Sequence, residues 1–281
     1  MRHQLKIMPA VCLAAFICAC TISAAGPAND SASDSSGHRI GTLLTKDVRL
    51  TEKNVCATLT APLHWNGQSW AYAGIGLGAV GCAFAADPAV RRFAQSHTSS
   101  GADRFILPWK QYGEWYTAAT ISGGMYLSGL GFSNPWLRET GRATLTAVAL
   151  TSLVNTAVKI SCGRSRPFLN RGPYMFSAFE TSTDQWSFPS GHTATAFALS
   201  SALASRIGNT WATLGLYGAA ALTATERIYE DHHGLSDAVL GALIGTAIGR
   251  FVAGSSDRSR CWTVVPTLTG TSAGVCILTG Y

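Results

Sequence analysis

The sequence predicts an all-α protein, a bundle of about six core helices followed by a short C-terminal β-hairpin. Three observations carry that expectation. Of the 281 residues, 47% are hydrophobic and only 13% charged, too apolar for a disordered chain and enough to bury a core. Six weakly hydrophobic, alanine-rich segments recur at residues 69–86, 115–132, 141–160, 191–206, 210–226 and 235–252, with lengths that suit helices rather than strands. The 29 glycines follow no three-residue period, which excludes a collagen-like repeat.

In chain order, residues 1–25 read as an export signal. Arg2 and Lys6 form a basic start, an apolar run extends from Ile7 to Ile22, and the small residues Ser23, Ala24 and Ala25 suit cleavage. Two other fates fit the same stretch: lipidation of Cys20 within Ile17-Cys18-Ala19-Cys20, and retention as an uncleaved anchor. Residues 26–39 are small and polar and read as a flexible tether. A helical domain is expected over residues 40–254, with its core in 110–252. After Gly254 the loose alternation of Trp262, Val264, Pro266 and Leu268 with Val275, Ile277 and Tyr281 gives residues 255–281 the look of a hairpin packed on the bundle.

The net charge of +6 includes Arg2 and Lys6 of the export signal, and the remaining basic residues are scattered. This excludes a nucleic-acid partner as the working expectation. Beyond the signal, Cys56, Cys82, Cys162, Cys261 and Cys276 contain no Cys-x-x-Cys pair and form neither a zinc-site pattern nor a dense disulfide framework. No metal or cofactor is expected.

Segments of 16 to 20 residues also raise the question of a membrane. Their Gly, Ala, Ser and Thr content is poor for lipid-facing helices but suits close helix packing. If the signal is removed and every segment crosses, the loops after the third and fifth segments face the cytoplasm. Those loops hold the chemistry described next, so the favoured expectation is an exported bundle in the periplasm or cell envelope, resting on a membrane or lipid-anchored. Six spanning helices are the alternative.

Three blocks carry chemistry. The first, residues 159–167, places Lys159 and Arg166 at the end of the third segment, where Gly163 and Pro167 would unwind the chain and turn Arg164 and Arg166 toward a shared anion. Cations offsetting a helix dipole would look similar. In the second, Ser190 reads as an N-cap, and the backbone N–H groups of Gly191 and His192 open a helix whose N-terminus suits a phosphate. In the third, Arg227 precedes His233, and Asp237 lies four residues after that histidine, a spacing at which a helix lets the carboxylate reach the imidazole. His232 has Ser236 at the same spacing and is assigned no chemistry.

Together the blocks resemble the signature of the type 2 phosphatidic acid phosphatase superfamily, which also contains bacterial class A acid phosphatases and vanadium-dependent haloperoxidases. The pattern is Lys, six residues, Arg-Pro; Pro-Ser-Gly-His; and Ser-Arg, five residues, His, three residues, Asp. Lys159, Arg166, Pro167, Pro189, Ser190, Gly191, His192, Arg227, His233 and Asp237 match it in order. Glu226 departs from it, standing where the pattern has serine.

The resemblance implies a metal-independent phosphatase acting on phosphomonoesters or diphosphates. His233, held by Asp237, would attack phosphorus and form a phosphohistidine, and His192 would protonate the departing oxygen. Lys159, Arg166, Arg227, Ser190 and Gly191 would hold the phosphoryl oxygens, with Arg164 as a further contact. Tyr174, Met175, Phe176, Phe179 and Trp186 would wall the site with apolar surface suited to a phosphorylated lipid, and a small phosphomonoester is the other substrate class. A vanadate-dependent haloperoxidase and a non-catalytic phosphate- or lipid-binding envelope protein are the remaining alternatives.

Overall fold

The computed structural model describes residues 35–180, 182–255, 262–269 and 272–279. The expected export segment, the Cys20 site and residues 26–34 of the expected tether lie outside the described residues. The chain divides into two compact units, one up to Glu52 and one from Lys53 onward. Helix α1 (Ser35–Thr60) begins inside the stretch expected to be tether. Extending a nucleated helix backwards costs little per residue, so the polar residues 35–39 join it even though their composition favours irregular chain.

The second unit contains α2 (Gly67–Ser96), α3 (Ser100–Ile106), α4 (Trp115–Gly131), α5 (Pro135–Cys162), α6 (Gly191–Ile207), α7 (Thr210–Tyr229) and α8 (Leu235–Gly254). Up to Ser255 the described residues are thus all-α, with eight α-helices, of which α2 and α4 to α8 are the six expected segments. Their starts are chemically marked. Asn66, Asn134 and Asn209 each accept a bond from the backbone N–H three residues on, at 2.9, 3.1 and 3.0 Å, satisfying a donor that the helix leaves unpaired. Gly163 and Gly208, at φ of 59° and 65°, end α5 and α6 in the left-handed conformation that glycine adopts without strain. Residues 262–269 and 272–279 are described as backbone only, paired antiparallel.

The core is built from small side chains. Ala143, Ala147, Leu150, Ala202, Ile248 and Val252 form one buried cluster, and Ala118, Val148, Ala198, Leu199 and Leu203 another. Gly241, Gly245 and Gly249 recur every fourth residue along α8, and a Cβ at any of them would run into α6, at Ser190, Ala194 and Ser201 respectively. Backbone-to-backbone approach of α6 and α8 therefore requires glycine there.

Along the α6–α8 contact small residues thus face inward, while many large apolar side chains are left outside. Trp70, Tyr72, Ile75 and Leu77 on α2, Leu127 on α4, Leu145 and Leu153 on α5, Trp211 and Leu214 on α7, and Leu243 on α8 are exposed. Three helices, α2, α5 and α8, are long and apolar enough to cross a membrane. Part of the Gly and Ala content is spent on helix–helix contact, at Gly129, Gly141, Gly241, Gly245 and Gly249, whereas Gly74, Gly78 and Gly81 on α2 face open space beside large exposed apolar side chains.

Candidate active site

Alternating helix directions bring the end of α5, the start of α6, the end of α7 and the start of α8 to one end of the bundle, and all three sequence blocks lie there. The blocks are stitched together by backbone and buried polar contacts. The Ser190 N–H donates to the Asp237 carbonyl at 2.9 Å, and the Ser187 N–H donates to the Arg164 carbonyl at 3.0 Å.

His233 is the best-defined group. Its Nδ1 lies 2.8 Å from the Ser187 carbonyl oxygen. A carbonyl can only accept, so Nδ1 carries the proton and Nε2 presents its lone pair. The residue is 3% exposed. Burial, followed by the charges of Lys159 and Arg166 against the opposing pull of Asp237, holds the imidazole well below its ordinary value of 6.5. His233 is therefore expected to remain neutral to lower pH than a free imidazole. Its ring NMR signals, identified against a His233→Gln variant, should titrate with a midpoint below 6.5; a midpoint at or above that value would show that burial does not control this group.

Asp237 is not the direct partner that its spacing suggested. It stands 3.6 Å from His233 Nδ1, farther than the Ser187 carbonyl. Helix α8 begins only at Leu235, so His233 precedes it and the four-residue helical relation does not apply. The carboxylate turns back to cap the helix, accepting from the Gly234 N–H at 2.7 Å, from Ser187 Oγ at 2.6 Å and from Arg164 Nη1 at 2.6 Å. Ser187 thus reaches both groups, with its carbonyl on the histidine and its hydroxyl on the aspartate.

Arg164, expected as a further phosphate contact, is committed elsewhere. It is 2% exposed and donates to Asp237, to Ser236 Oγ at 2.7 Å, to Asp87 Oδ2 at 2.8 Å and to the Pro173 carbonyl. Two buried carboxylates and a carbonyl consume its donors, which the local sequence could not reveal because Asp87 arrives from α2. Asp87 also accepts from the Ser236 N–H and hydroxyl, at 2.9 and 2.6 Å. This ties α2 to the N-terminal turn of α8.

Lys159 and Arg166 stay near His233, and Arg227 lies near Arg166. Lys159 Nζ donates to the Trp186 carbonyl at 2.6 Å, and a Cβ on Gly191 would sit 3.7 Å from Lys159 Cε, so lysine and the start of α6 are adjacent. Arg166 Nε donates to the Thr183 carbonyl at 3.0 Å. Burial and the nearby Arg227 charge push Arg166 below the usual guanidinium value. Ser190 caps α6, accepting from the Thr193 N–H at 3.4 Å. Gly191 and His192 supply the first N–H groups of the helix, which have no acceptor within it. Arg227 is held by Glu226 and Glu230.

Two acids escaped the sequence reading. Besides Asp87, Glu114 lies just before α4, with Oε1 3.2 Å from His192 Nε2. The imidazole beside it holds the Glu114 carboxyl below the usual carboxylate range. A lone acid in the apolar run of α2 and another directly before α4 were the signals available.

The aromatic loop is only partly a wall. Phe176 packs on Phe84 and Phe188, and Phe84 and Phe176 lie against the Arg164 guanidinium. Tyr174 donates to the Phe84 carbonyl at 3.3 Å. Pro88 has no N–H for that carbonyl, four residues earlier in α2. Tyr174, Met175 and Phe179 are exposed. Among the described residues no three His, Cys, Asp or Glu side chains gather as metal ligands would.

The family model described as the PAP2 superfamily matches residues 141–261, the stretch that contains all three blocks. Residues 141–261 are a PAP2-superfamily segment. A lipid A 1-phosphatase of Porphyromonas gingivalis is 36% identical over 84 residues, 29% of this chain and 19% of that protein, so the match spans about a fifth of the relative's length. The crystal structure of a transmembrane PAP2-type phosphatidylglycerolphosphate phosphatase from Bacillus subtilis superposes with a TM-score of 0.51 at 18% identity, over 76% of this chain and 99% of that one. LpxE of Aquifex aeolicus gives 0.46 at 22% identity, over 60% of this chain and 94% of its own. The Bacillus structure supports the bundle fold of this chain.

Proposed function

We propose that this protein is a metal-independent phosphatase that hydrolyses phosphomonoesters or diphosphates of lipids at a membrane, through a phosphohistidine on His233. The observation that carries the reading is the Ser187 carbonyl on His233 Nδ1, which leaves Nε2 as a neutral nucleophile close to the Lys159 and Arg166 charges. In the first step the Nε2–P bond forms as the P–O bond to the leaving group breaks, and His192, with Glu114 beside it, gives its proton to the departing oxygen. In the second, His192 takes a proton from water as the water oxygen attacks phosphorus, and the Nε2–P bond breaks to release orthophosphate.

Lys159, Arg166, Arg227, Ser190 and the Gly191 N–H hold the phosphoryl oxygens and stabilise their charge in both transition states. These fixed cations take the part that Mg²⁺ plays in other phosphoryl-transfer enzymes. Asp237 and Arg164 act behind the nucleophile rather than on the substrate.

The lipid preference and the membrane setting rest on the exposed apolar faces and on α2, α5 and α8. The likeness to the lipid A phosphatase agrees with them. We read the protein as held in a membrane of the cell envelope through these helices.

Membranes carrying the protein should release phosphate from phosphatidate in the presence of excess chelator, faster than from p-nitrophenyl phosphate at equal concentration. The activity should stay in the pellet after an alkaline carbonate wash. Loss of release with chelator would refute the metal-free mechanism, a preference for the soluble ester would refute the lipid assignment, and activity in the wash would refute attachment through these helices.

A further inference from the structure

Arg227 is among the cations assigned to the phosphate, yet it is already engaged. Its Nε donates to Glu226 Oε2 at 2.5 Å, its Nη2 to Glu226 Oε1, and the same Nη2 to Glu230 Oε2 at 2.6 Å. These three bonds use the Nε proton and both Nη2 protons, leaving the Nη1 end of the guanidinium for an anion.

Glu226 occupies the position where the superfamily pattern has serine, a side chain too short to grip a guanidinium in this way. It is fully buried, at 0% exposure, and Arg227 is 2% exposed. Burying a carboxylate is costly and is offset only by close pairing. A buried ion pair commonly ties two elements together, but Glu226 and Arg227 are consecutive on α7 and so join nothing across the fold. Successive helical side chains ordinarily point apart; here both curl to one side so that the carboxylate grips the guanidinium edge. The effect of Glu226 is therefore concentrated on the orientation and net charge of Arg227.

We propose that Glu226 is a positioning residue that turns the Nη1 end of Arg227 toward the phosphoryl group and weakens the hold of the cradle on ground-state phosphate, so that orthophosphate is released rapidly. The inference rests on the phosphatase reading above. A carboxylate against the binding cation lowers its attraction for substrate and product alike. Transition-state stabilisation suffers less, because the remaining Nη1 donors are fixed in place before the reaction.

The test compares the parent with Glu226→Gln, which keeps the shape and removes the charge, and Glu226→Ser, the residue of the superfamily pattern. Competitive inhibition by orthophosphate should tighten about tenfold in both variants, the scale expected when one buried charge beside a bound anion is removed. KM should fall with it, and kcat should fall where product release becomes limiting. Thermal protection by orthophosphate, read as a rise in Tm, should be larger in the variants than in the parent, a readout that works even where a variant turns over poorly.

Unchanged inhibition and protection in Glu226→Gln, with the parent active, would overturn the role of Glu226 and leave the phosphatase reading standing. A parent that neither hydrolyses phosphate esters nor is protected by orthophosphate would overturn both. A lowered Tm in the variants with no change in orthophosphate affinity would mark Glu226 as structural and likewise sink the proposal.

Discussion

Replacing His233 with alanine is expected to lower kcat by about 10⁴-fold or more, the scale seen when a covalent nucleophile is removed. The expectation follows from position. His233 Nδ1 is fixed on the Ser187 carbonyl, so only Nε2 can bond to phosphorus, and no second imidazole can take its place. His192 stands against Glu114 in the first turn of α6, and His232 turns its Nδ1 to the Glu230 carbonyl at 2.8 Å. The cations do not depend on the histidine, since Lys159 and Arg166 are anchored on the Trp186 and Thr183 carbonyls.

Orthophosphate should therefore still bind to the His233→Ala protein, as read by its effect on Tm, while rapid quenching with a labelled substrate should trap an acid-labile phosphoprotein only in the parent. Residual turnover within tenfold of the parent would transfer the nucleophile's role elsewhere. Loss of orthophosphate binding together with turnover would mean that the histidine organises the cradle rather than attacking phosphorus.

The parts of this arrangement that sequence reveals are those whose determinants lie close together along the chain. The helices at 115–131, 191–207, 210–229 and 235–254 lie within a few residues of the expected segments, because small apolar runs mark all four, Ser190 and Asn209 cap two of them and Gly208 ends one. The short α3 and the long α1 carry weaker patterns and were not expected. The three blocks were legible for the same reason, each holding several functional residues within a dozen positions.

What the sequence concealed is the long-range wiring. Asp87 meets Arg164 from 77 positions away and Ser236 from 149. Ser187 contributes a carbonyl, which any residue possesses. A local reading of Arg164 sees a cation near an anion site, and a local reading of His233 and Asp237 sees a helical pair. Both change once tertiary contacts allot the hydrogen bonds.

Arg164 gives the largest expected effect on stability. It lies between Asp87 and Asp237, with N–O distances of 2.8 and 2.6 Å and exposures of 2% for the arginine, 4% for Asp87 and 0% for Asp237. Removing one partner of a buried ion pair typically costs about 3–5 kcal/mol, because the other charge is left desolvated and unpaired. Arg164→Met would leave two carboxylates in that condition, so a loss at the upper end of this range is expected in denaturant melts. Lysine should not rescue it, since a single ammonium cannot reproduce a planar fork that reaches two acids, a hydroxyl and a carbonyl at once.

The sharper test is the double variant Arg164→Met with Asp87→Asn. If the arginine serves to neutralise Asp87, removing that charge should recover part of the lost stability, a coupling of about 1–3 kcal/mol in a mutant cycle. A phosphate-contacting arginine predicts the reverse pattern, in which stability is unchanged and KM rises. Recovery of the fold without activity would place the remaining defect at Asp237, whose grip on Ser187 sets the carbonyl that orients His233.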